Sequence, residues 1–344
     1  MKILVADGVS EKGIEILSKE FECEIRAKLP AEELLATIHE YDGLVVRSAS
    51  KVTKEVIEAA TNLKVIGRAG VGVDNIDIEA ATAKGIIVLN APEGNTIAAT
   101  EHTVAMMLSM ARNIPQAHSS VQNGEWKRNQ FVGVEMRGKT LGVIGLGRIG
   151  SGVAKRAIAF DMKVIGYDPY VNEERAKTMG IEVVSLEEIY ANADFISVHM
   201  PLTAQTKDLI NSETISKMKD GVYLVNCARG GIINEADLAE AVKAGKVAGA
   251  AIDVFPKEPI EPNSPLLGVD KIVLTPHLGA STVEAQIGVS VDVAYGIVAA
   301  LKGEPVTTAV NMAPVAPHVL KFIKPYFGLA DRMGKTAVSL AEGP

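Results

Sequence analysis

Three polar residues stand just past the ends of short apolar runs: Arg229 after VYLVNCA, Glu258 a few residues beyond AIDVF, and His277 within IVLTPHLGAS. An imidazole takes up and releases a proton near neutral pH, and a carboxylate beside it favours the imidazolium that forms. A guanidinium grips a carboxylate as a bidentate fork. These are the groups that hydride transfer between a 2-hydroxy acid and its keto acid requires. His277 would take the hydroxyl proton as hydride leaves C2, Glu258 would orient it, and Arg229 would hold the substrate carboxylate and polarise the C2 oxygen. Taken singly, each has a plainer reading: a histidine capping a turn, a surface glutamate in the proline-rich FPKEPIEPNSP, and an arginine paired with surface acids.

Hydride needs an acceptor, and LGVIGLGRIGSGVAKRAIAF supplies a place for one, with Gly145, Gly147 and Gly150 as G-x-G-x-x-G between an apolar strand and a helix. Gly145 permits the tight turn, Gly147 lets the backbone approach a pyrophosphate, and Gly150 lets the helix pack close to the sheet. The helix N-terminus adds free N–H groups and a partial positive charge. Asp168, in VIGYDP, ends the next strand. A carboxylate there accepts from both ribose hydroxyls and repels a 2′-phosphate, so NAD is expected rather than NADP. A glycine-rich turn without ligand, and a turn residue before Pro169, are the plainer alternatives.

Strand exits are where an open parallel sheet binds its ligands, so such a sheet must carry these residues. Short β-branched runs do alternate with helix-length amphipathic segments. In the first part the runs are KILVAD, CEIRA, GLVVR, KVIGR and IIVLN; in the second, TLGVIG, MKVIGY, FISVHM, VYLVNCA, AGAAIDVF and KIVLT. The fold class is therefore α/β, with two doubly wound parallel-sheet domains: a Rossmann cofactor domain inserted in a flavodoxin-like substrate domain. Between them, a helix from about Ile97 to Asn113 is followed by SSVQNGEWKRNQFVGVEMRGK, which reads as a connection. The apolar-faced segment TVEAQIGVSVDVAYGIVAALKG finds the second sheet already covered and is expected to return to the first domain. Residues 1–96 and 282–310 then form a discontinuous substrate-binding domain, 97–281 the NAD-binding domain, and 311–344 a tail.

The 344 residues suffice for two buried cores. A net charge of −7 offers no basic face for nucleic acid or anionic membrane. Two cysteines without metal-ligand spacing argue against zinc or disulfide scaffolds, so no metal is expected and a reducing cytoplasm fits. MKILVAD reads as a strand, not a signal peptide, and AATEHTVAMMLSMA, taken as the most apolar helical stretch, is too short to span a bilayer. His39, His102, His118 and His318 lack acidic partners at useful spacing and are read as structural; His199 is given a backbone role.

The stretches GRAGVGVDNID, GKTLGVIGLGRIG, VNCARGGIINEADL, GAAIDVFPKEP and TPHLGAST carry a resemblance to the D-isomer-specific 2-hydroxyacid dehydrogenases over about residues 1–310. It is strongest to the members that oxidise D-3-phosphoglycerate, the first step of serine biosynthesis. The resemblance implies Arg229, Glu258 and His277 as the catalytic set. It implies NAD contacts by Arg148, Ile149, Asp168, Met200, Pro201, Cys227, Ala228, Arg229, Asp253, His277, Gly279 and Ala280, with Val71 and Thr100 toward the nicotinamide half. For a phosphorylated substrate it points to Arg47, Arg68 and Gly70, to Arg128 reaching in from a neighbouring subunit, and to a homodimer or homotetramer. Residues 311–344 would be the start of a C-terminal extension. A glyoxylate, hydroxypyruvate or D-lactate enzyme of the same family would keep the triad without the phosphate arginines, and an NAD-sensing transcriptional corepressor would use the fold as a binding module.

Overall fold

In the computed structural model, residues 1–27, 29–312, 319 and 322–341 are described. His318 and part of the tail lie outside them. The chain divides into two compact units, one of Met1–Gly94 with Gln286–Pro344 and one of Asn95–Ala285.

The first unit alternates β1 (Lys2–Val5), α1 (Glu11–Ser18), β2 (Glu22–Ile25), α2 (Ala31–Thr37), β3 (Gly43–Val46), α3 (Lys54–Ala59), β4 (Val65–Arg68), α4 (Ile78–Ala83) and β5 (Ile87–Leu89). Among the described residues its strands form a five-stranded sheet in the order β2-β1-β3-β4-β5, the flavodoxin-like arrangement. All ladders are parallel, so every strand exits at the same edge. β3 is buried along its whole length because helices cover both faces, which explains its unbroken apolar sequence GLVV.

The second unit opens with α5 (Thr96–Ala111) and α6 (Ile114–Gln122), followed by β6 (Thr140–Ile144), α7 (Arg148–Ala159), β7 (Lys163–Tyr167), α8 (Glu173–Thr178), β8 (Glu182–Val183) and α9 (Leu186–Asn192). It continues with β9 (Phe195–Val198), α10 (Ser212–Ser216), β10 (Val222–Asn226), α11 (Glu235–Lys243), β11 (Val247–Ile252) and β12 (Ile272–Leu274). The sheet order is β12-β11-β10-β9-β6-β7-β8, the Rossmann order with its switch point between β6 and β9. Both expected sheets are therefore present. β8 has no counterpart in the sequence reading, since two residues are too few to show a period.

Two expectations need correction. The connection expected from Ser119 begins inside α6: Asn113 takes a left-handed φ of 51° and breaks α5, and Pro115 restarts the helix in its first turn. The most apolar long helix is not the 98–111 stretch but α12 (Val283–Leu301), which by length and composition could cross a membrane. Its composition has a packing cause. Val289, Val293, Ala294 and Ile297 are buried in one cluster with Ile3, Val5, Val45 and Val65 of the first unit's sheet. Beyond it, Ala309 bridges Leu89 antiparallel and Asn311 Oδ1 accepts the Val88 N–H at 2.9 Å, so the returning chain covers the β5 edge. The terminal helix Phe327–Ala341 leaves Leu329, Met333, Val338 and Leu340 exposed.

Ile297 has no exposed surface. Truncation there leaves a cavity between α12 and the sheet, so Ile297→Ala is expected to destabilise the protein by about 2–5 kcal/mol. Thermal unfolding checks this, and an unchanged midpoint would show that α12 contributes nothing to the first unit's core.

Candidate active site

The glycine turn joins β6 to α7. Gly145 has φ 99°, and a Cβ there would come within 2.6 Å of the His199 carbonyl; one on Gly150 would meet the Gly145 carbonyl at 1.9 Å. Around Gly147 nothing lies within 4 Å of a Cβ position, so backbone is open to an approaching group. Gly147 is also the N-cap of α7 and makes no side-chain cap there, so the positive end of the helix dipole stands beside the open turn. Asp168 follows β7 and binds the turn directly, with Oδ2 accepting from Leu146 N at 2.8 Å and Oδ1 from Tyr170 N at 2.8 Å. Open backbone, a helix end without a side-chain cap and a carboxylate at the next strand exit suit a dinucleotide.

On the far side of the switch point, the exits of β10, β11 and β12 carry the other candidates. Asn226 closes the turn after β10: its Nδ2 donates to the Arg229 carbonyl at 2.8 Å and its Oδ1 accepts from Ala228 N at 3.0 Å. The Arg229 guanidinium donates to the Ala228 carbonyl at 2.7 Å. A Cβ on Gly230 would sit 1.9 Å from the Phe255 carbonyl carbon, so the Arg229 turn lies directly against the loop that leads to Glu258. Phe255 N in turn donates to Glu258 Oε1 at 3.1 Å.

His277 Nδ1 and Glu258 Oε2 are 2.7 Å apart. Burial raises the Glu258 pKa, but the hydrogen bond to His277 and the Phe255 N–H outweigh it and hold the carboxyl below its ordinary value. With Nδ1 engaged, Nε2 of the ring is left for a substrate. His277 has φ 55°, a left-handed conformation that costs a residue with a side chain about 1–2 kcal/mol. Such strain persists only where surrounding bonds over-determine it, and here they do.

Those bonds converge on Asp253, which has no exposed surface. Its Oδ1 accepts from Thr275 Oγ1 at 2.6 Å and from Leu278 N at 2.8 Å, its Oδ2 from Gly279 N at 2.9 Å, and its main-chain carbonyl from His277 N at 2.9 Å. His102 Nε2 lies 3.1 Å from Oδ1. Burial raises the Asp253 pKa, yet His102, Thr275 and the Leu278 N–H together bring it below the usual carboxylate value. The sequence reading left His102 structural for want of an acidic partner; its partner lies far along the chain and is delivered by α5 packing on the sheet. Thr275 and Asn226 were likewise missed, although both are polar residues at strand exits, the one signal the sequence offered.

Other named residues have different surroundings. Thr100 is buried, donates to the Thr96 carbonyl at 2.7 Å and faces Gly152 on α7. Met200 is half-buried and Pro201 exposed just past β9. Burial pushes the Cys227 thiol up to about 12, so it is no thiolate nucleophile. His102, Cys227 and Asp253 bring three metal-ligating atoms within 4.8 Å of one another, but the Asp253 carboxylate already has its donors. Burial pushes His199 down to about 4, and this neutral ring bonds Ser197 Oγ at 2.8 Å. Val71, Arg47, Arg68 and Gly70 belong to the first unit, while Arg128 lies in an exposed turn, Arg128–Phe131, of the second.

Asp253→Asn keeps the volume but turns an amide toward backbone N–H groups that need acceptors. At about pH 7 it is expected to lose roughly 2–4 kcal/mol of stability. Because the native carboxyl is held low, its stabilisation is complete above the unfolded value of about 4 and is lost as pH falls through the folded one. The gap between wild type and variant in thermal unfolding should therefore narrow on acidification. A gap that widens would contradict this account.

A family model described as "D-isomer specific 2-hydroxyacid dehydrogenase, NAD binding domain" matches residues 104–279. The D-3-phosphoglycerate dehydrogenase of Archaeoglobus fulgidus is 53% identical over 338 residues, covering 98% of this chain and 64% of that protein. The enzyme of the same name from Methanocaldococcus jannaschii is 52% identical over 344 residues, covering 100% of this chain and 66% of its own length. The chain thus spans just under two thirds of these relatives. Among solved structures, D-lactate dehydrogenase from Aquifex aeolicus, complexed with NAD and lactic acid, superposes with a TM-score of 0.80 at 30% identity, covering 91% of this chain and 100% of that one. The matched segment runs from within α5 to the turn that holds His277, and on that ground the chain belongs to the D-isomer-specific 2-hydroxyacid dehydrogenases, with an NAD-binding domain as its second unit.

Proposed function

We propose that this chain oxidises D-3-phosphoglycerate to 3-phosphohydroxypyruvate with NAD, the entry reaction of serine biosynthesis. The observation that carries the reading is the 2.7 Å hydrogen bond between His277 Nδ1 and Glu258 Oε2, which leaves Nε2 to receive the hydroxyl proton. Glu258 stabilises the imidazolium as it forms, and Arg229 holds the substrate carboxylate in ground and transition states alike. When bound, the nicotinamide ring supplies the hydride acceptor. The glycine turn with Arg148, Ile149 and Asp168 holds the dinucleotide, and Asp168 disfavours a 2′-phosphate. Met200, Pro201, Cys227, Ala228, Asp253, Gly279 and Ala280 complete that contact set, with Thr100 and, from the first unit, Val71.

The phosphate falls to Arg47 and Arg68, which leave β3 and β4 of the first unit, with Gly70 beside them and Arg128 contributed by a second copy in a homodimer or homotetramer. Residues 1–96 and 282–310 act as the substrate domain and 97–281 as the cofactor domain. Two relatives named D-3-phosphoglycerate dehydrogenase at 53% and 52% identity support this substrate over D-lactate, and a cytoplasmic setting goes with it.

The direct test is NADH formation with 3-phosphoglycerate set beside D-glycerate and D-lactate. The phosphorylated acid is expected to give the highest kcat/KM by about a hundredfold or more, the scale of two added charge-assisted contacts. Equal or better turnover of D-lactate would overturn the substrate assignment.

A further inference from the structure

We propose that Asn75 is a positioning residue that couples Arg47 and Arg68 into one anion clamp; the inference rests on the phosphorylated-substrate reading above. β1, β3 and β4 are neighbours in the first sheet, so Asp7, Arg47 and Arg68 all stand at its carboxyl edge. Asp7 is almost completely buried. It holds the turn after β3 from one side, with Oδ2 accepting from Arg47 N at 2.5 Å and Ser50 N at 3.1 Å, and Oδ1 from Ser50 Oγ at 2.8 Å.

Asn75, in the loop after β4, holds the same turn from the other side. Its Nδ2 donates to the carbonyls of Arg47 at 2.8 Å and Ser50 at 2.6 Å, which uses both protons of the amide. Its Oδ1 accepts from Arg68 Nε at 3.3 Å, and its own carbonyl accepts from Val52 N at 2.8 Å. One carboxamide therefore ties the backbone at Arg47 to the guanidinium of Arg68. Gly70 makes room for that guanidinium, since a Cβ there would stand 2.0 Å from Arg68 Nη1.

A free arginine side chain carries about 2 kcal/mol of rotamer entropy, and an anion must overcome it at each fork it engages. Holding the Arg68 guanidinium in advance lowers that cost at Arg68, and fixing the backbone at Arg47 sets where the second arginine starts, which helps an anion that meets both arginines and does nothing for a substrate that lacks one. Asn75 thus acts on discrimination between phosphorylated and unphosphorylated hydroxy acids.

The experiment compares wild type with Asn75→Ala and the near-isosteric Asn75→Asp, measuring KM and kcat for 3-phosphoglycerate, kcat/KM for D-glycerate, and NAD affinity. Arg47→Ala and Arg68→Ala are run in parallel. Asn75→Ala is expected to raise KM for 3-phosphoglycerate about tenfold, the worth of one charge-assisted hydrogen bond, with D-glycerate and NAD parameters changed by less than about twofold. Asn75→Asp keeps an acceptor for Arg68 but cannot donate to the two carbonyls and sets a charge beside the clamp that opposes the phosphate, so it should raise KM for 3-phosphoglycerate at least as much while sparing D-glycerate, and that contrast decides the question if the alanine variant does not fold. If the arginine variants raise this KM while the Asn75 variants leave it unchanged, or if phosphorylated and unphosphorylated substrates suffer equally, the positioning role is overturned. If the arginine variants too are inert, the phosphate reading fails and the inference with it.

Discussion

A single buried carboxylate organises the reactive end of the second unit. Asp253 satisfies two backbone N–H groups, a threonine hydroxyl and a histidine ring through its side chain, and a third N–H through its carbonyl. A buried charge is costly without such partners, and with them it becomes a rigid joint. The joint fixes the turn from Thr275 to Gly279, and with it the left-handed backbone of His277. The ring can then meet Glu258 without having to search for it.

The same economy runs through both sheets. Within each sheet, parallel ladders bring the strand exits to one edge, and at several of them a short polar side chain closes the turn: Asn226 behind Arg229, Asp253 behind His277, Asp168 behind the glycine turn, Asp7 and Asn75 around Arg47. Asparagine and aspartate suit this work because a short, stiff carboxylate or carboxamide can bond backbone groups at close range, here mostly on segments distant in sequence. The larger side chains at these exits are held by them, which is why His277 and Glu258 can be partly exposed and still be oriented.

Much of this was legible in the sequence, for physical reasons. Strands buried on both faces read as unbroken apolar runs, so most of the sheet strands show in runs such as GLVV and FISV, while the edge strand β2, ECEI, is legible only as a short alternating run. Gly145, Gly147 and Gly150 announce themselves because no other residue fits two of those positions. Arg229, Glu258 and His277 could be named because a guanidinium, a carboxylate and an imidazole follow three strands of the sheet that also carries the glycine turn. What stayed hidden depends on contacts between distant segments. Nothing along the chain pairs His102 with Asp253, and the left-handed Asn113 that splits α5 from α6 looks like any other asparagine. β8 is too short for a pattern, and the apolar content of α12 became intelligible only with the sheet it covers.

The account stands or falls on the histidine that Asp253 and Glu258 together hold in place. The most direct measurement is kcat and NAD affinity for His277→Ala beside wild type. A positioned acid–base group is worth on the order of a hundredfold or more in rate, whereas His277 is one of many residues proposed to contact NAD and its backbone stays in place, so kcat should fall by at least that much while NAD affinity changes by less than about threefold. Near wild-type turnover in the variant would leave His277 as a residue of the turn and contradict the mechanism built on it.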